Sequence, residues 1–220
     1  DVTREILVGE NVISSVLGDG WYLGMLGPTK WHKDYPRRGV YGNDRRLIAR
    51  LSINYKDGTS QSVCTDDSWL LNTRGFIISA DTILGQKHDA QLKPAGWKNA
   101  DFNDENWDSV YVDNGIRKNL EAQKNEPVRI YKHIPPVSIT GKGDKYIADF
   151  GQNITGWIRL GIKGEKGSLI TIRHGEMLDD DGSLYTANLA AAIQKDEFIL
   201  SGEKDEFEPS FTYHGFRYAE

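Results

Sequence analysis

Alternation with a period of two runs through most of this chain, and it restricts the fold to strands. From Leu47 to Tyr55 the residues Leu47, Ala49, Leu51, Ile53 and Tyr55 fall on one face, with Arg50, Ser52 and Asn54 on the other, the pattern of a strand with one wet side. Lys56-Asp57-Gly58-Thr59 supplies a tight turn and Ser60 to Thr65 returns, so the stretch predicts a β-hairpin. The pattern recurs where Ile154, Gly156, Ile158, Leu160 and Ile162 share a face, Lys163 to Gly167 turn, and Ser168 to His174 return as a second hairpin. Helical character is confined to Ala187 to Gln194, a stretch rich in Ala and Leu but too short to stand alone.

Two sections separate. From Gly85 to Glu126 the sequence is irregular, polar and rich in Asn and Asp, whereas Pro127 to Ile134 reads as a strand and runs into Pro135-Pro136, which no central strand accommodates. A boundary is expected within residues 127 to 136, giving domains 1–130 and 131–220. Many short, turn-punctuated strands make both domains antiparallel β-sandwiches of jelly-roll type, an all-β chain. There is no internal repeat or low-complexity run.

Composition narrows the function classes. The 220 residues are 38% hydrophobic and 27% charged, and no apolar run approaches the length of about 18 that a spanning helix needs. Lys+Arg 27 against Asp+Glu 32 gives a net charge of −5. The basic residues are scattered, with Arg-Arg pairs only at Arg37-Arg38 and Arg45-Arg46, so neither a nucleic-acid face nor a membrane-binding helix is expected. A single cysteine, Cys64, excludes a disulfide framework and a cysteine-built metal cluster. The chain begins at Asp1 with neither Met nor leader and reads as a piece of something longer.

Each candidate for chemistry has a structural reading beside it. Asp149-Phe150-Gly151 matches a kinase tripeptide but lacks every companion motif. Asp179-Asp180-Asp181-Gly182 concentrates carboxylates as a calcium loop would, yet without the alternate spacing, which favours a solvated turn. His174 and Glu176 fall on one strand face and could share a metal, but Ile170 and Ile172 lie on that face too and no third ligand is nearby, which favours a core-edge histidine. His88, with Asp81 and Asp89, and His214 are equally incomplete, and none pairs with a serine or with Cys64. Glycosidase chemistry needs two facing carboxylates, one with a raised pKa, and the acids here sit in turns. The tryptophans are more informative: Trp21, Trp31, Trp69, Trp97 and Trp107, with Tyr22, crowd the first section, several beside Gly or Asp. Aromatic faces backed by polar groups hold sugars, while a Trp among turn residues also plugs the end of a sandwich.

Leu17-Gly18-Asp19-Gly20-Trp21-Tyr22-Leu23-Gly24, after Asp1-Val2-Thr3 and Gly9-Glu10-Asn11, resembles the N-terminal, galactose-binding-like β-sandwich of bacterial α-L-rhamnosidases, as do Thr65-Asp66-Asp67-Ser68-Trp69, Gly96-Trp97 and Phe102-Asn103-Asp104 with Trp107. The second section is similar to the concanavalin-like sandwich that follows it in those enzymes. Its markers are Asp149-Phe150-Gly151-Gln152-Asn153 with Gly156-Trp157, Arg173-His174-Gly175-Glu176-Met177-Leu178, Leu184-Tyr185-Thr186 with Asn188-Leu189, and Glu208 to Tyr218.

The resemblance implies that the glycosidic bond is cut, with inversion, on an (α/α)6 barrel C-terminal to these sandwiches, so no catalytic residue is assigned here. It implies a first domain truncated at its N-terminus, with an open sheet edge. The expected partners are that barrel and, through the parent enzyme, a rhamnose-containing oligosaccharide or glycoside. The alternative is a carbohydrate-binding module, calcium-dependent as some related sandwiches are, contacting sugar through Asp19, Trp21, Tyr22 and Trp31. The family's usual Glu and Arg in the stretch Gly85 to Gln91 are both Gln here, Gln86 and Gln91, which puts any charge-dependent binding by that stretch in question. The parent's compartment, periplasmic, secreted or cytoplasmic in a bacterium, is left open.

Overall fold

The computed structural model describes residues 1–26, 37–115, 120–189 and 192–220. The chain divides into two compact units, one of Asp1–Ser14, Arg46–Thr73 and Gly96–His133, the other of Ser15–Arg45, Arg74–Ala95 and Ile134–Glu220. Residues from both sides of position 131 therefore build the second unit. Among the described residues no helix is long and apolar enough to cross a membrane.

The second unit is built on a seven-stranded sheet in the order Ile77–Asp81, Gly85–Asp89, Lys195–Ile199, Leu169–Gly175, His214–Ala219, Lys145–Gly156, Ser138–Lys142. Neighbours are antiparallel except Gly85–Asp89 beside Lys195–Ile199, which run parallel with Phe198 opposite His88. Gly85 makes that approach feasible. Its φ is +83°, and a Cβ there would fall 1.8 Å from the Lys195 carbonyl oxygen, so only a residue without a side chain fits.

A smaller ladder, Leu160–Lys163 with Lys204–Phe207, supplies the facing layer. Phe198 and Phe216 from the large sheet and Phe207 from the small one are fully buried and share one cluster with Phe150, Ile172, Leu200 and Ala219. Each such side chain stabilises the fold by about 1.5–3 kcal/mol relative to exposure. Phe198 and Phe207 stack at 5.0 Å, and the His88 ring stands edge-on to both. The long strand Lys145–Gly156 carries a bulge, its register against His214–Ala219 shifting between Asp149 and Ile154. Gly151 takes the positive φ of 73° that the bulge needs, and Phe150 turns inward to meet Phe216 edge-to-face.

The first unit contains the hairpin Arg50–Asn54 with Ser60–Cys64, the short ladder Leu70–Leu71 with Asp108–Ser109, and Asx-type turns at Asp57, Asp66, Asn103 and Asp113. Phe102 and Trp107 pack edge-to-face, and Trp69 Nε1 donates to the Cys64 carbonyl. Among the described residues, every buried apolar side chain belongs to the second unit.

The all-β architecture of two β-domains agrees with the alternation in the sequence, and the 47–65 hairpin forms with Leu51 and Ile53 on the covered side. Three local expectations are corrected. Ile154 to Ile162 is not one strand returning as a hairpin: Leu160–Lys163 is a separate strand that pairs with Lys204–Phe207, while Leu169–Gly175 pairs with Lys195–Ile199. The turn at 163–167 therefore carries the chain between the two layers instead of closing a pair. Pro127 to Ile134 forms no strand, because among the described residues nothing pairs with it and Val128 and Tyr131 remain exposed. Ala187–Leu189 is a 3-10 turn, and Gln194, with φ of 47°, lies outside helical geometry.

Candidate functional site

Asp19 stands just before the helical turn Gly20–Leu23, and the ladder Met25–Leu26 with Arg37–Arg38 follows. The Asp19 carboxylate, 10% exposed, pairs with the guanidinium groups of Arg38 and Arg45. Arg38 Nη1 also donates to Asp81 at 3.0 Å. Asp81 is itself buried and fixes the surroundings by accepting from the backbone N–H groups of Met25, Ile83 and Leu84. An open cleft of about 240 Å³ results, lined by Asp19, Leu23, Arg38, Gly39, Asn43 and Arg45. Two guanidinium groups, a carboxylate and an amide in one concave surface offer the planar donors and acceptors that vicinal hydroxyls can bridge. Gly39, at φ +63°, permits the tight turn, since a Cβ there would fall 2.4 Å from Asn43 Oδ1.

Trp21 and Tyr22 lie on the helical turn, 49% and 44% exposed, and neither lines the cleft. The Tyr22 phenol instead covers Gly42, where a Cβ would fall 2.0 Å from its hydroxyl. Trp31 lies outside the described residues. Asp19 lines the cleft, whereas Arg38, Asn43 and Arg45 were not among the candidates offered by the sequence; the available signal was that Arg38 and Arg45 each belong to one of the two Arg-Arg pairs in the chain.

A second cluster is buried in the sheet. His214 Nε2 and Asp196 Oδ2 lie 3.0 Å apart, Asp196 Oδ1 accepts the Gln86 backbone N–H at 2.8 Å, and His174 Nδ1 donates to the Gln194 carbonyl at 3.0 Å. Burial, reinforced by the neighbouring His214, pushes His174 down to about 4, so its ring is neutral at pH 7. His174, Asp196 and His214 offer one ligand atom each within 4.8 Å of one another. The histidine rings, however, stack at 4.1 Å with only 21° between their planes. A metal binds an imidazole nitrogen along its in-plane lone pair at about 2 Å, and two nearly parallel stacked planes do not meet at that distance. The donor set does not fit a metal and fits a hydrogen-bonded core.

The other sequence candidates are separated. Glu176 lies exposed beyond the strand end, held by Asn153 and Asn188, and shares no site with His174. Asp181 accepts from Ser183 N–H and Oγ and from Lys142 Nζ, which hold its carboxyl well below the usual range; the acidic run is a turn and forms no calcium cage. Gln86 is buried, its Oε1 accepting from the Ser210 and Phe211 N–H groups, and Gln91 is exposed beside Asp89. Gln86 ties a loop to the sheet.

Fold and site together define a chain of two β-domains with an open polar cleft and a polar core that holds its own strands together. Residues 1–132 match the α-L-rhamnosidase N-terminal domain, and residues 139–220 match the bacterial α-L-rhamnosidase concanavalin-like domain. The chain belongs to the α-L-rhamnosidase family. It is 38% identical over its full length to an α-L-rhamnosidase of Streptomyces avermitilis and 34% identical to one of Formosa agariphila, covering 21% and 23% of those proteins. The crystal structure of the Streptomyces avermitilis enzyme complexed with L-rhamnose superimposes with a TM-score of 0.83 at 37% identity, over 91% of this chain and 19% of that one. The native enzyme of Aspergillus terreus superimposes with a TM-score of 0.79 at 34% identity, over 93% and 23%. The chain thus spans about a fifth of the length of these relatives.

Proposed function

We propose that this chain is the non-catalytic β-sandwich portion of an α-L-rhamnosidase, joined near residues 130 and 131, and that its parent cleaves terminal α-L-rhamnosides with inversion on a helical barrel outside this sequence. The observation that carries this reading is the match of the whole chain to a fifth of each relative. The acids support it. A general acid needs a pKa raised toward neutrality, whereas among the described residues Asp57, Asp66, Asp149, Asp181 and Glu197 are displaced downward by hydrogen bonds. The buried ones, Asp81, Asp196 and Asp205, are each engaged by a backbone N–H. The test is to express the encoded protein at its full length and follow an aryl α-L-rhamnoside by NMR. Release of the sugar first as the inverted anomer supports the reading, and no cleavage sinks it.

The Asp19 cleft favours a second reading, a sugar-binding module that holds a rhamnose-containing glycan near the parent's barrel. Asp19, Arg38, Asn43 and Arg45 would bridge its hydroxyls, with Trp21 and Tyr22 at the flank. Calorimetric titration with L-rhamnose, with and without calcium, separates the readings: heat that disappears in Arg45→Ala supports binding, and no heat at millimolar sugar removes it.

A further inference from the structure

The large sheet ends in a strand that the rest of the unit leaves uncovered. All five residues of Ser138–Lys142 are exposed. One edge pairs with Lys145–Gly156, and among the described residues no strand pairs along the other. Its faces can be assigned by register. Ala148 lies opposite both Ile139 and Ala219, and Ala219 belongs to the buried cluster, so Ile139 is on the core-facing side. Tyr146, two residues before Ala148, shares that side, opposite Gly141, over which its ring lies. These are core positions by register, yet Ile139 is 63% and Tyr146 66% exposed, with Val137 beside them at 69%. The facing layer is the short Leu160–Lys163 and Lys204–Phe207 ladder, and it leaves this end of the large sheet open. Apolar residues on the core face of an unpaired edge strand mark a surface that another segment covers.

The position of Glu220 indicates which segment. The strand His214–Ala219 is the other neighbour of Lys145–Gly156, with Ala219 opposite Ala148. Glu220 Oε1 then reaches both Arg173 and Lys145, and Lys145 lies opposite Lys142 at the end of the edge strand. By the antiparallel register, the position after Glu220 falls opposite Tyr146, at one end of the open ledge.

We propose that the ledge formed by Val137, Ile139 and Tyr146, with the free edge of Ser138–Lys142, is the docking surface for the polypeptide that follows Glu220 in the parent protein. This rests on the reading of the chain as part of a longer rhamnosidase. Hydrogen–deuterium exchange on the 220-residue chain and on the full encoded protein tests it. Amides of 137–146 should exchange at least about tenfold more slowly in the full protein. Ile139→Asp should lower the melting temperature of the full protein while leaving that of the 220-residue chain unchanged. Equal exchange in the two proteins overturns the proposal, even where the full protein hydrolyses a rhamnoside and the functional reading therefore stands. Protection that appears in the 220-residue chain as its concentration rises also overturns it, because the occupant is then a second copy. Absence of rhamnosidase activity with protection intact would remove the functional reading and leave the docking surface.

Discussion

Asp149 and Arg217 meet across adjacent strands in a two-pronged ion pair, Nε to Oδ1 and Nη2 to Oδ2, both at 2.9 Å. Asp149 Oδ1 also accepts the Gly151 N–H that opens the bulge. The pair therefore joins the two most recognisable motifs of the second section, Asp149-Phe150-Gly151 and Gly215-Phe216-Arg217-Tyr218, and gives the apparent kinase tripeptide a structural role. Arg217 holds the Asp149 carboxyl below the usual range, and the carboxylate raises Arg217 in turn.

Arg217→Lys should recover only part of the stability lost in Arg217→Ala, since an ammonium cannot reproduce the fork. Both losses should be small, because the pair is partly open to solvent. Urea midpoints of the three proteins measure this, and a lysine variant equal to wild type contradicts the two-pronged role.

The pH dependence follows from the buried histidines. Burial pushes both His88 and His174 down to about 4, against an unfolded value of 6.5. A group whose folded value is depressed leaves the unfolded chain holding more protons between those values. The stability from keeping these rings neutral is complete above pH 6.5 and declines as pH falls toward 4. The lowered aspartates add their own loss only below their unfolded value of 3.8, and Glu197 adds its loss only below 4.5. Denaturation midpoints from about pH 7 to 4.5 should fall in wild type and fall less steeply in His174→Gln; parallel slopes contradict the assignment.

Core burial sets a clear contrast between the units. Phe198→Ala, at a side chain 1% exposed, should cost about 3–5 kcal/mol. Tyr131→Ala, at a side chain fully exposed, should change stability by no more than about 0.5 kcal/mol. Chemical denaturation followed at each variant decides it, and similar costs at the two positions would contradict the packing described.

Gly85 is the tightest constraint on the large sheet. Gly85→Ala places a methyl group on the Lys195 carbonyl and imposes a left-handed φ on alanine. The expected loss exceeds about 4 kcal/mol. A variant that folds with its midpoint unchanged would show that the parallel contact between Gly85–Asp89 and Lys195–Ile199 is absent.

The fold class was legible because strand alternation is a local property: Leu51 and Ile53 report their own burial. Pairing was less legible, since the turn at 163–167 has the composition of a hairpin and only the phenylalanine core decides that the chain crosses between layers there. The parallel contact of Gly85–Asp89 with Lys195–Ile199 joins segments far apart in the chain, and Gly85 alone carried no sign of it. The cleft was half legible. Asp19 stood in a recognisable motif, but Arg38 on its short ladder and Asn43 and Arg45 in the loop that follows reach the cleft by a path that their local sequence does not reveal. His174 resembled a metal ligand in one dimension, and the stacking of its ring on His214 is a tertiary fact.

Incubation of the purified 220-residue chain with an aryl α-L-rhamnoside, beside the full encoded protein, tests the central claim most directly. The account predicts release of the aryl group by the full protein and none above background by the 220-residue chain. Turnover by the 220-residue chain that a carboxylate substitution within it abolishes would contradict the account, because a catalytic pair would then lie within these sandwiches.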